Sequence, residues 1–330
     1  MKILDTVGID VSKRTIDVVL HQSQAYTQFE NSKKGFLKML KWVYKNIKVN
    51  KNNLLFVFEH TGLYSYNLSV FLNERDINFS MVSGLEIKRS LGIARGKNDK
   101  VDAQKIARYA YRLRDEIKPT KLPEKDIEKL KRLLSLRDRL VKQRAGYKTT
   151  VNEQKRVLLK KDNETLINTQ EKMIKYLTKQ ITAIEKEING IIESNETLKK
   201  QFTLITSITS VGAQTALFMI VYTEGFTKFT KYRKFASYSG IAPFTKLSGT
   251  SIRGKTKVSN LANKKIKSLL DQCAKNAITH NTEMKKYYYK RIDEGKNKMS
   301  TINIIRNKLL SRIFAVIQRK TPYVNIYKYV

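Results

Sequence analysis

The stretch Val7-Gly8-Ile9-Asp10-Val11-Ser12-Lys13 decides how the first third of the chain folds. Its β-branched residues favour a strand, yet Asp10 sets a carboxylate inside that strand, where an unpaired charge is costly. A second apolar run, Ile16 to Leu20, follows Ser12-Lys13-Arg14-Thr15, and Gln28-Phe29 extends a third short strand, so the chain opens as a meander. Further out, Phe36, Leu37, Met39, Leu40 and Val43 have helical spacing. Leu54 to Phe58 is a continuous buried strand, Tyr66 to Leu72 is helical, and Phe79 to Val82 is another strand. The alternation predicts an α/β layer with a mixed sheet.

More acids recur at the ends of these elements. The strand from Leu54 finishes Phe58-Glu59-His60-Thr61-Gly62, a carboxylate at a strand edge before a turning glycine. Next comes Gly96-Lys97-Asn98-Asp99-Lys100-Val101-Asp102-Ala103, which leads into an amphipathic helix through Ile106, Tyr109 and Leu113. Asp99 and Asp102 are three apart and share a helical face. Converging carboxylates on strands and a helix suit Mg²⁺, and two such ions can activate a nucleophile and stabilise a leaving oxygen in phosphodiester chemistry. Taken singly, a strand Asp can cap a turn, and Asp99 can be the N-cap of its helix. His60 points to the opposite strand face from Glu59 and reads as structural or supporting.

After Pro119 and Pro123 no proline occurs until Pro243, which permits long helices. Ile167, Ile174, Leu177, Ile181, Ile184, Ile188 and Ile191 follow steps of three and four broken only at Gln170, a heptad seam. Residues 124–200 therefore read as an arm, a hairpin of two helices whose seam packs within the hairpin or joins two chains. The division expected is an α/β domain over 1–118, a helical coiled-coil arm over 119–200, and a mostly helical domain over 201–330.

The chain carries 65 Lys+Arg against 29 Asp+Glu, a formal charge of +36 that attracts phosphate polyanions. Residues 201–330 are the more one-sided, with 24 Lys+Arg against 5 Asp+Glu. Nucleic acid is the expected partner. Cys273 has no second cysteine to pair with, no apolar run is long enough for a membrane span, and Met1-Lys2-Ile3-Leu4 is not a signal peptide, so a cytoplasmic location is expected.

Pro243 to Ser259 reads as a basic Gly/Ser/Thr-rich loop. Lys246, Arg253, Lys255, Lys257, Lys264 and Lys265 lie in and just after it without one acid, and suit phosphate contacts. Leu204 to Ala216 resembles a helix-hairpin-helix with Thr209-Ser210 where Pro-Gly is usual, and packing competes with phosphate contact as its role. Tyr287-Tyr288-Tyr289 among lysines can stack on bases or fill a helical core.

The three acidic blocks, with Phe235-Ala236-Ser237-Tyr238-Ser239-Gly240-Ile241-Ala242-Pro243 further on, resemble the signature blocks of the DEDD-type insertion-sequence transposases. The resemblance spans most of the chain. It implies a ribonuclease-H-like N-terminal domain similar to the RuvC Holliday-junction resolvase. It also implies a Mg²⁺ site, with Mn²⁺ as the substitute ion, at Asp10, Glu59, Asp99 and Asp102. A catalytic serine in the second domain that links covalently to DNA, and a structured guide RNA pairing with donor and target DNA, are further implications. After Ala242-Pro243 only Ser248-Gly249 keeps the family register, which makes Ser248 the expected nucleophile and Ser251 the reserve. A homo-oligomer, a dimer or a tetramer at synapsis, is expected with it.

Competing readings stay open at this stage. A junction resolvase or nuclease would use the same four acids without the serine, and a site-specific DNA invertase of the Piv type would share every motif. An actin-like ATPase or sugar kinase also begins Gly-Ile-Asp, but needs a second Gly-rich phosphate loop that this sequence lacks. A non-catalytic RNA- or DNA-binding protein leaves the strand carboxylates without a purpose.

Overall fold

The computed structural model describes residues 2–90, 98–248 and 252–324. Two compact units divide it, residues 1–122 and 123–330.

The first unit is a five-stranded mixed sheet with helices on both faces. Its strands are β1 (Asp5–Val11), β2 (Thr15–Leu20), β3 (Tyr26–Glu30), β4 (Leu54–Glu59) and β5 (Phe79–Val82), in spatial order β3-β2-β1-β4-β5. The first three form the antiparallel meander, while β1, β4 and β5 run parallel. The parallel steps need crossovers. These are α1 (Lys33–Asn46), which joins β3 to β4, and α2 (Leu63–Asn73), which joins β4 to β5. Two further helices, α3 (Gly84–Ser90) and α4 (Asp99–Arg112), follow β5. The Ser32 hydroxyl starts α1 by accepting from the Gly35 N–H at 3.1 Å, and Phe36, Met39, Leu40 and Val43 make its buried stripe. The expected α/β alternation is present element by element, and the mixed sheet is compatible with a ribonuclease-H-like DEDD domain.

Alternation along β1 sorts its two faces. Val7, Ile9 and Val11 join Phe36, Met39, Phe56 and Phe58 in the core under α1 and α2. Thr6, Gly8 and Asp10 take the other face, which α4 covers. The approach there is very close: a Cβ on Gly8 would run into the backbone of Ala103 and Ala107. The Thr6 hydroxyl donates to the Ala107 carbonyl at 2.9 Å and pins the helix to the strand. Gly8→Ala must push α4 off the sheet, so we expect a loss of about 3 kcal/mol in urea unfolding, the upper part of the overpacking range. Asp99 and Asp102 ride on that helix and would be displaced with it.

The second unit is helical. α5 (Lys125–Val157) and α6 (Glu164–Ser194) form the arm, and α7 (Glu196–Thr206), α8 (Ala213–Thr223) and α9 (Tyr232–Tyr238) follow. After the two strands β6 (Pro243–Ser248) and β7 (Ile252–Val258) come α10 (Lys264–His280), α11 (Thr282–Asp293) and α12 (Lys298–Arg319). The arm is a hairpin and its seam closes within the chain: Ile167, Leu177, Ile181, Ile184, Ile188 and Ile191 are all buried. Lys129–Glu187 at 2.7 Å and Arg137–Glu185 at 2.6 Å link the two helices. At the arm's base, Ile127, Leu130 and Leu134 share one core with the apolar helix α8 and with Ile305, Leu309 and Ile313 of α12. Segments 119–200 and 201–330, separate in the sequence reading, are therefore joined from residue 123 onward in one body.

One expectation is corrected. Within the segment from Pro243 to Ser259, read as a loop, residues 243–248 and 252–258 are two antiparallel strands, with Pro243 opposite Val258 and Ser248 opposite Ile252, and an irregularity between Phe244 and Lys246. Thr245, Ile252, Thr256 and Val258 supply β-branched residues at strand positions, and the lysines between them hid the pattern.

Candidate catalytic carboxylates and basic hairpin

Register brings the strand acids together. β1 and β4 are parallel with Ile9 beside Phe58, so the next step along sets Asp10 beside Glu59. Leu55 and Val57, which alternate with Glu59, pack with Ile106 and Tyr109 of α4, so Glu59 shares the α4 face with Asp10. Both acids stand at the C-terminal ends of parallel strands. The Glu59 carboxylate lies against Gly84 at the start of α3, where a Cβ would collide with it.

Over this edge comes the first turn of α4. Its N-cap is Asn98, whose side chain accepts from the Lys100 N–H at 3.0 Å, so the capping role considered for Asp99 falls to its neighbour. Asp99 and Asp102 occupy the first turn, where the helix dipole favours negative charge. The Asp102 carboxylate accepts from Lys105 Nζ at 2.8 Å. Lys97 of this block lies outside the described residues. His60 is exposed, and its Nδ1 accepts from the Gly62 N–H at 3.3 Å, a turn contact in keeping with a structural role.

Sequence reading missed a fifth carboxylate. Asp17 of β2 is directly opposite Asp10 in the antiparallel register and is only 1% exposed. Tyr26 donates its hydroxyl to Asp17 at 2.7 Å, and Gln28 Nε2 donates at 3.1 Å. The bond to Asp17 is the main reason the Tyr26 hydroxyl is pushed up to about 12. A signal was available: Asp17 interrupts an apolar strand just as Asp10 does, but only the register reveals that the two meet.

Electrostatics records the crowding. The Asp10 carboxyl is raised from the ordinary 3.8 to about 6, first by burial and then by the negative charges of Asp99, Asp102, Asp17 and Glu59. Among the described residues no three His, Cys, Asp or Glu side chains are already drawn into a coordination shell. The donor set nonetheless fits a hard divalent cation: oxygen ligands only, from strands and a helix, with too much negative charge for their surroundings. A cation among them would reverse the effect on Asp10.

The second unit holds the remaining candidates. Ser248 is the last residue of β6, at the tip of the hairpin, and Ser251 lies outside the described residues. Lys246, Arg253, Lys255 and Lys257 all sit in the hairpin strands, with Lys257 exposed. Lys264 and Lys265 open α10, whose first turn has no acid, so cations stand at the positive end of a helix dipole. Lys264 is exposed, whereas Lys265 is not a free phosphate contact: it pairs with Asp138 of α5 at 2.6 Å.

Residues 207–212 make the tight turn between α7 and α8, with Ser210 in the left-handed region at φ 75°. The Ser210 hydroxyl is buried there without a hydrogen-bond partner. Glycine meets that backbone demand without strain, so Ser210→Gly should stabilise the protein by about 1 kcal/mol, read as a raised unfolding midpoint. Of the three tyrosines, Tyr287 and Tyr288 pack against the helical core, and Tyr289 is 53% exposed.

Comparison with known proteins finds matches in both units, the first running past residue 122 into the arm. A family model described as a transposase, of the DEDD type of IS110, matches residues 7–161, and one described as transposase IS116/IS110/IS902 family matches residues 202–289. The chain is 28% identical over 328 residues to the pilin gene-inverting protein of Moraxella lacunata, covering 96% of this chain and 97% of that protein. The same figures hold for the pilin gene-inverting protein of Moraxella bovis. It is also 28% identical over 144 residues, 44% of this chain and 34% of the other, to an uncharacterized 43.6 kDa protein of insertion element IS110 from Streptomyces coelicolor. No helix among the described residues is long and apolar enough to cross a membrane. With four acids in one N-terminal unit, a basic hairpin in the other, and family matches over both, the chain belongs to the IS110 family of DNA transposases and recombinases.

Proposed function

We propose that this recombinase cuts and rejoins DNA by phosphoryl transfer in a RuvC-like N-terminal domain and a serine-bearing C-terminal one. Asp10, Glu59, Asp99 and Asp102 hold the divalent cation, Mg²⁺ or Mn²⁺, and Asp17 supports Asp10 from the neighbouring strand. When bound, the ion supplies Lewis-acid stabilisation of charge developing at the scissile phosphate. The observation that carries this reading is the gathering of Asp10 with Asp17 and Glu59 on neighbouring strands and with Asp99 and Asp102 in the first turn of α4, charges that together with burial raise the Asp10 carboxyl.

Ser248 Oγ is the nucleophile. Its oxygen forms a new bond to phosphorus while the bond from phosphorus to the leaving deoxyribose oxygen breaks. The hydroxyl proton passes to a carboxylate or to solvent, and the leaving oxygen takes one up. The lysines and arginine of the β6–β7 hairpin hold flanking phosphates. A structured RNA encoded beside the gene pairs with donor and target DNA. The active form is a homo-oligomer; with the seam buried inside the arm, the exposed Leu166, Met173 and Tyr176 of α6 offer the apolar row for a second copy.

The test is strand exchange in cells between donor and target plasmids, with the sequence flanking the gene supplied. Asp102→Ala should reduce exchange to background, and omitting the flanking sequence should do the same. Exchange by Asp102→Ala at the wild-type level would remove the metal-site reading.

A second reading has its own support, because the pilin gene-inverting proteins match along nearly their whole length. Inversion of a segment within one molecule uses the same cutting and joining. A reporter segment bounded by inverted copies of the recombined sequence distinguishes them: an invertase flips it, whereas a transposase delivers it to the second plasmid.

A further inference from the structure

On the second unit, helices α5, α8 and α10 enclose a pocket of about 390 Å³ that the proposed chemistry does not use. One stripe of α5 forms its wall and contributes Lys131, Arg139 and Lys142. All three are exposed, and none makes an ion pair among the described residues. The acid in the lining, Asp138, is already neutralised by Lys265. The floor is aromatic: Phe218 and Tyr222 stack with centroids 5.9 Å apart and planes 14° from parallel. Phe218 is buried beneath Lys265 Nζ, 4.9 Å from its ring, while Tyr222 stays partly open to the pocket.

Three unpaired cations around an apolar, aromatic floor are what an unpaired nucleotide needs. The volume lies within the usual range for small-molecule pockets. Tyrosine offers stacking that any base accepts, and flanking cations take the backbone phosphates. A duplex with its bases stacked inward presents no ring to such a floor. We propose that this pocket holds one unpaired nucleotide of a single-stranded RNA or DNA segment, with its base on Tyr222 and its phosphates on Lys131, Arg139 and Lys142. The proposal shares with the preceding section only the premise that the chain handles nucleic acid. It requires neither the carboxylates nor Ser248.

Lys131→Ala, Arg139→Ala and Lys142→Ala combined leave the fold intact, since each change puts the best helix former at an exposed helical position. Binding of the full-length protein to oligo-uridylate and oligo-thymidylate is followed by fluorescence anisotropy across a salt series. Loss of three phosphate contacts should flatten the logarithmic salt slope by about 2. A control triple on exposed α6 positions, Lys172→Ala, Lys175→Ala and Lys179→Ala, removes equal charge and should flatten it much less. In parallel, oligonucleotides carrying 5-bromouracil are photocross-linked and the attached peptide is mapped. A cross-link at Tyr222, lost in the α5 triple, supports the pocket, and competition between the two oligonucleotides tells whether RNA or DNA is the better occupant. Equal slopes for the two triples, or cross-links confined to residues 243–258, would overturn it. A wild-type protein that binds neither strand would instead count against the nucleic-acid premise.

Discussion

Asp10→Asn should make the metal-free protein more stable at neutral pH while abolishing strand transfer. The two effects share one cause. The Asp10 carboxyl titrates near 6 in the folded chain against an ordinary 3.8, so between those values the native state binds more protons than the unfolded state. Stability contributed by this group is therefore present at low pH and is lost as pH rises through about 6. At 1.36 kcal/mol per pH unit the loss is about 3 kcal/mol at most, and solvent screening brings it nearer 1 to 2. Asparagine cannot ionise, so the variant's urea midpoint in chelator should exceed wild type at pH 7 and match it near pH 4. Added Mn²⁺ should raise the wild-type midpoint at pH 7 and raise the variant's much less, because the variant keeps the other acids but has lost one of the four proposed ligands. Strand transfer should fall about a thousandfold or more, on the scale of several kcal/mol of charge stabilisation lost from the transition state. A structural Asp10 would give the opposite stability result: its replacement would lower the midpoint at every pH.

How much of this was legible in the sequence depended on whether the deciding interaction was local. Strands β1, β4 and β5 and helix α1 were readable because their apolar periodicity is set by a neighbour that covers one face or both. Asp10 and Glu59 stood out for the same reason, as charges in runs that burial should keep apolar. Asp17 obeys that rule too, but Ile16-Asp17-Val18 also reads as ordinary alternation, and its meaning depends on the cross-strand register with Asp10. The β6–β7 hairpin escaped notice because no hydrophobic rhythm marks it in the sequence: Phe244 is 50% exposed and lysines occupy both strands. The heptad seam of α6 fixed a stripe but not its partner, which in the fold is α5. Lys265 looked like any other lysine in a basic run, since its tie to Asp138 spans 127 positions of the chain.

Ser248→Ala should eliminate the covalent protein-DNA adduct and reduce recombination to background, a loss of about ten-thousandfold or more, as removal of a nucleophile does in enzymes that work through one. Alanine keeps the backbone pairing of position 248 with Ile252, so the hairpin and its cations remain. DNA binding and its salt dependence should then match wild type, which separates lost chemistry from lost docking. The adduct is trapped by denaturing gels after incubation with donor DNA and Mg²⁺, and its absence in Ser248→Ala with its persistence in Ser251→Ala assigns the oxygen. The reverse pattern moves the nucleophile to Ser251. An adduct absent from wild type as well, with DNA still cut in an Asp10-dependent way, points to water as the attacking group and to a resolvase-like hydrolysis at the carboxylates. The two substitutions thus divide the mechanism. Asp10→Asn stops every reading that uses the acids, whereas Ser248→Ala stops only strand exchange through a covalent intermediate.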